Sequence, residues 1–239
     1  IGHDPQVQHV KRANKLLRWI QRVPKKLVYR RLPTESTHLR VVSDAAFKKE
    51  TEKGHCLRGA LYLRAPGTKA GDYAVVSQGT PIHVIDWACK SQRHVTRSTF
   101  AAELLSAGDS VDQGVHLFQM MHEVQHGPLQ ASQARDLLIS GGYKIPMVLY
   151  VDAMSVFAAV TATFIKTPAE KSLLCHVQYL RELLDRGTLS AIVWLDTRDM
   201  ISDGLTKGVI SRKDLMKLMD GVLATLHAPK SWSSKLLRV

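Results

Sequence analysis

A chain of 239 residues with 45% hydrophobic content has enough apolar material for one sizeable core or two small ones. Its 33 Lys and Arg outnumber 21 Asp and Glu, and a net charge of +12 favours polyanionic partners, nucleic acid ahead of acidic membrane surfaces. Cys56, Cys89 and Cys175 are scattered, which argues against a disulfide framework or a Cys-type zinc site.

The excess charge is uneven, since residues 1–40 hold ten Lys or Arg against Asp4 and Glu35. Residues 7–23, VQHVKRANKLLRWIQRV, have a helical period. Val10, Ala13, Leu17 and Ile20 share one face and Lys11, Lys15, Arg18 and Arg22 the other, before Pro24 ends the run. The basic face either rests on phosphates or meets solvent. No apolar run approaches the roughly 20 residues that span a bilayer, and no signal-peptide pattern opens the chain. No membrane partner and an intracellular setting, cytoplasm or nucleus, are therefore expected.

HLRVVSDAAF (38–47) has the pattern of a strand ending near Asp44. CLRGALYLRA (56–65) and PIHVIDWAC (81–89) are further strands, with the turn-forming PGTKAGD (66–72) between them. STFAAELLSAGDSVDQGVHLFQMMHEV (98–124) spaces Leu104, Val111, Val115 and Phe118 as a helix capped by Ser98 or Thr99, with a bend or break possible at Gly108 or Gly114. After a Gly- and Pro-punctuated stretch come a strand (146–152), helices over 153–164 and 170–187, a strand (188–196), and a terminal helix over 212–226. That order predicts a mixed α/β fold with five strands in one mixed sheet and helices on both faces. The expected division is a basic connecting helix and linker (1–36), a central domain (37–209), and a C-terminal helix and tail (210–239).

Four acids fall at element ends in this scheme: Asp44, Glu103, Asp152 and Asp203. Each alone has an ordinary structural explanation as a turn, cap or solvated residue. As a set they suggest a buried carboxylate cluster, which repels itself unless cations neutralise it. Hard divalent ions prefer such oxygen ligands, and a pair about 4 Å apart suits attack on a phosphodiester. LYVDAMS (149–155) superficially suggests a polymerase Asp-Asp turn with its second acid replaced by Ala153, but nothing before it has the pattern of a polymerase palm or fingers. The histidines do not suggest a zinc hydrolase, and no Gly-rich phosphate loop with Lys-Ser or Lys-Thr is present.

VVSDAAF, WACKSQRHVTRSTFAAELLSA, MVLYVDAMSVFAAV and DTRDMISDGLTKG together resemble, in order and spacing, the ribonuclease H domain of copia-type retrotransposon polyproteins. The resemblance runs from about residue 6 to residue 225, and HVKRANKLLRWIQRVPKKLVY is similar to the segment that follows the reverse transcriptase in those polyproteins. It implies a ribonuclease H-like fold in which Asp44, Glu103, Asp152 and Asp203 hold two Mg²⁺ or Mn²⁺ ions and hydrolyse the RNA strand of an RNA–DNA hybrid. The implied partners are that hybrid and the reverse transcriptase of the same polyprotein.

The match has departures. Phe100 and Ala101 replace the family's Thr and first Glu, Ala153 its Asn after the third acid, and Ser172 its His; 196–202 lacks the loop His of cellular ribonucleases H. Lys90, Arg93, Arg97 and Lys207 are candidate phosphate contacts against a solvated basic surface as the alternative. Ser155 either caps the following helix or meets a phosphate, and Arg198 either touches the scissile phosphate or is a solvated loop arginine. Asp196 and Asp199 either add to the metal site or are idle loop acids. The rival functions are a catalytically impaired relic that binds nucleic acid or tethers a polymerase, and a DNA nuclease using the same acids.

Overall fold

The computed structural model of the chain describes residues 6–33, 36–46, 56–67, 69, 73, 79–92, 95–208, 211 and 213–234. Phe47, Arg93 and most of the 66–72 turn lie outside them.

β1 (Thr37–Ala46) is buried along its whole length, as a strand covered on both faces must be. Its side chains alternate: Leu39 and Val41 enter one apolar core while Val42 enters another on the opposite face. β5 (Met147–Val151), also fully buried, repeats the pattern, with Met147, Leu149 and Val151 on the first face and Val148 and Tyr150 on the second. β2 (Leu57–Pro66) pairs antiparallel with β1 and β5 pairs parallel with it, so β1 is where the sheet changes direction.

β4 (His83–Ser91) lies outside β2, and β6 (Ala191–Trp194) lies outside β5. The five expected strands are thus neighbours. A sixth, β8 (Lys230–Trp232), joins antiparallel to β6, giving the order β4-β2-β1-β5-β6-β8. β3 (Thr80–Pro81) and β7 (Val222–Leu223) form a separate two-stranded pair.

The first core lies under α2 (Thr99–His126), α4 (Met154–Thr161) and α5 (Leu174–Arg186). Gly114 does not break α2. A Cβ there would meet Val41 Cγ2 at 2.9 Å and Met147 Sδ at 3.2 Å, so the missing side chain lets the helix lie directly on β1 and β5. The helix runs unbroken for 28 residues, and Ser98 Oγ caps it by accepting from the Ala101 amide at 3.1 Å. α3 (Ala131–Ser140), which the sequence reading passed over, follows it and stops at Gly141, whose φ of +67° is left-handed.

The second core is closed by Leu205 of α6 (Asp203–Thr206), by Leu215 and Leu218 of α7 (Lys213–Met219), and by Leu27. The expected helix over 212–226 is therefore shorter. α7 ends at Met219, and Gly221, at φ +75°, turns the chain into β7 with the Val28 carbonyl so close that no Cβ would fit. α1 (Val7–Arg22) buries none of its residues. The segment after it is anchored: the Val28 amide donates to the Met219 carbonyl at 2.8 Å and Lys25 pairs with Asp220 at 3.0 Å. Among the described residues no helix is long and apolar enough to cross a membrane.

Candidate metal centre

Parallel pairing sets the first two acids side by side. Val42 of β1 stands level with Tyr150 of β5, so two residues further along Asp44, still paired with β2, comes level with Asp152, just past the end of β5. Trp194 Nε1, from β6, donates to the Asp152 carbonyl at 2.7 Å and fixes that strand end. α2 brings Glu103 in from the face of the first core, while α6 brings Asp203 and Thr206 in from the other. Carboxylate oxygens of Asp44, Glu103 and Asp152 all lie within 4.8 Å of one another. Asp203 is tied to the same spot by Lys207, whose ammonium donates to Asp203 Oδ1 and stands 3.5 Å from Asp44 Oδ1.

The cluster is poor in solvent. Asp44 is fully buried, and Glu103 and Asp203 are nearly so. Thr206 Oγ1 donates to Asp44 Oδ2, but Asp44 Oδ1 has no hydrogen-bond partner; Lys207 is within ion-pair range of it without bonding to it. A buried carboxylate oxygen without a hydrogen bond, on an acid crowded by two others, is costly even with an ammonium 3.5 Å away, and a further cation would offset that cost. Burial, then the charges of Asp44 and Asp152, push Glu103 up to about 9. Burial and Asp44 raise Asp152 as well, and burial lifts Asp203 to about 6 against the pull of Lys207. For Lys207 burial works the other way, yet Asp203, Asp44 and Asp152 outweigh it and hold its pKa above the usual lysine value. All-oxygen donors, strong mutual repulsion and an open lone pair suit Mg²⁺ or Mn²⁺.

The remaining expected residues divide. Lys90, at the end of β4, and Arg97, just before the α2 cap, are exposed, and Arg93 lies outside the described residues. Lys207 is half-buried, with its ammonium directed into the acids. Ser155 is exposed and does not cap α4, whose N-cap is Ala153 with no side-chain bond. Ala153 itself packs against the first core. Arg198 binds Asp196 through Nε and Nη2, both at 2.8 Å. Asp196 caps its own turn, and Asp199 is no idle acid: its carboxylate accepts from the Leu226 and His227 amides. Ser172 bonds Glu170 at 3.2 Å.

Two partners of the acids were not singled out from sequence. Thr206 holds Asp44 and Thr197 bonds Asp152; the only hint of either is its place in the loop and short helix around Asp203. Contrary to the expectation that the histidines offer no His-x-x-x-His ligand spacing, His122 and His126 have it, one turn apart on α2 with ring centroids 4.8 Å apart, and His122 Nδ1 is buried without a hydrogen-bond partner. Among the described residues no third His, Cys, Asp or Glu joins them. A groove of about 500 Å³ between α2 and strands β2 and β4 mixes Asp86, Asp109 and Asp112 with Arg58 and Lys90 in its walls. Neither protein-family models nor curated proteins match the chain.

Proposed function

We propose that the chain is a metal-dependent phosphodiester hydrolase of the ribonuclease H type. More particularly, we read it as the ribonuclease H module of a copia-type retrotransposon polyprotein, with an RNA–DNA hybrid as substrate and the adjoining reverse transcriptase as partner. The observation that carries this reading is the crowding of Asp44, Glu103 and Asp152 carboxylate oxygens within 4.8 Å of one another, in a group where Asp44 Oδ1 is buried without a hydrogen bond. Strand order and pairing support it, because β1 and β5 deliver two acids level with each other at the sheet's change of direction.

Asp44, Glu103 and Asp152 are the residues that would hold a divalent ion. Such an ion, when bound, acidifies a water molecule and offsets charge on a phosphodiester. Thr206 and Thr197 orient Asp44 and Asp152 by hydrogen bonds, and Lys207 moderates the negative field from the Asp203 side. Lys90 and Arg97 are exposed and would meet phosphates, positioning the duplex without reading its sequence. Ser155, exposed in the first turn of α4, is a further candidate contact.

The test is a hybrid with labelled RNA, offered to the full chain with Mg²⁺. Cleavage of the RNA strand is expected, and Asp152→Asn should abolish it. Equal cleavage by the variant overturns the assignment. Preference for duplex DNA would transfer the same acids to a DNA nuclease, and metal binding without any cleavage would make the chain an impaired relic, a reading that Ala153 favours by offering no polar side chain after Asp152.

A further inference from the structure

We propose that Lys207 is a built-in cation of the acid cluster, so that the site takes one divalent ion where four carboxylates would suggest two. The proposal rests on reading the cluster as a divalent-metal centre and concerns what its own residues leave room for.

Two observations carry it. The trio of mutually close carboxylates leaves out Asp203, whose Oδ1 receives the Lys207 ammonium. That ammonium also stands 3.5 Å from Asp44 Oδ1, so it already lies between the two acids that a second ion would have to join.

The arrangement is fixed by the backbone. Asp203 opens α6 and Lys207 follows its last turn, with the Lys207 amide donating to the Asp203 carbonyl at 2.8 Å. The two side chains therefore emerge on one side of a single helical turn, the spacing at which opposite charges meet. Placing a second divalent ion beside a half-buried ammonium would set like charges a few ångströms apart in poor solvent, where their repulsion is least screened.

The experiment is calorimetric titration of MnCl₂ into the metal-free full chain, alone and with a hybrid whose ribose 2′-hydroxyls are replaced by fluorine to prevent cutting. One Mn²⁺ per chain is expected in both cases. Lys207→Met, which frees Asp203 and uncovers Asp44, should bind two, while Lys207→Arg should stay at one. Asp203→Asn should leave the wild-type count unchanged and return the Lys207→Met count to one. Two ions bound by the wild-type chain, or one by a folded Lys207→Met variant, would overturn the proposal and leave the metal centre standing. If Lys207→Met does not fold, Asp203→Asn decides: a count falling from two to one shows Asp203 to be an ion ligand. A folded wild-type chain that binds no Mn²⁺ overturns the metal centre itself.

Discussion

Gly59 and Thr206 approach so closely that no side chain fits between them: a Cβ on Gly59 would lie 2.6 Å from Thr206 Cγ2. Gly59 is the β2 residue paired with Asp44, so the bare backbone lets α6 settle onto the sheet where Thr206 can reach the Asp44 carboxylate. Thr206 is β-branched and bonded in place, so it has little freedom to yield.

Gly59→Ala is therefore expected to lift α6 away from β1, at a cost of about 1–3 kcal/mol in stability as for other overpacked sites. Hydrolysis should fall further than stability accounts for, since Thr206 would lose Asp44. Denaturant unfolding and hybrid cleavage, measured on the same preparation, check both parts. A variant with wild-type activity would show that the Thr206 bond does not matter.

Stability without metal should depend on pH in an unusual direction. Burial, with Asp44 and Asp152 behind it, raises Glu103 from 4.5 to about 9. Between those values the folded protein binds a proton that the unfolded chain has released. Its contribution is thus complete below 4.5 and is lost as pH rises through about 9. Asp203, raised from 3.8 to about 6, acts in the same sense over a lower window. In chelator, Tm should fall as pH climbs from about 5 to about 9; saturating Mg²⁺ should flatten the fall, and Glu103→Gln should remove much of it. A metal-free Tm that rises across this interval would contradict the buried cluster.

Hybrid binding should be salt-dependent through the exposed Lys90 and Arg97. Replacing Lys90 or Arg97 by Ala is expected to lower the slope of log K against log salt by about 1 each, without changing sequence preference. Arg198→Ala should have a smaller effect, because its guanidinium is already bonded twice by Asp196. An Arg198 effect larger than that of Lys90 or Arg97 would mean that Asp196 releases it to the duplex.

The sequence made some of this legible for plain physical reasons. β5 is apolar on both faces and β1 carries Leu39, Val41 and Val42 in alternation, so their strand character was written into residues 38–46 and 147–151. Asp44, Glu103, Asp152 and Asp203 were legible because each interrupts or ends such a run. α3 was missed because its first turn is Ala131-Ser132-Gln133 and none of its residues is buried, which leaves no apolar stripe to find. β8 is three residues long and depends on its edge pairing with β6. The helix over 212–226 was overextended because Val222, Leu223 and Leu226 continue an apolar period, whereas Gly221 adopts a conformation that ends it. Lys207 had the pattern of a phosphate contact because its charge is visible in sequence and its direction is not. Its orientation follows from a four-residue helix that holds it beside Asp203.

The proposed hydrolysis depends on a cation joining Asp44 to Glu103 and Asp152. Anomalous scattering from crystals grown with Mn²⁺ tests this directly. A single strong peak is expected within bonding distance, about 2.0–2.6 Å, of oxygens from Asp44, Glu103 and Asp152. A well-ordered cluster with no peak, or manganese bound only elsewhere on the surface, would contradict it.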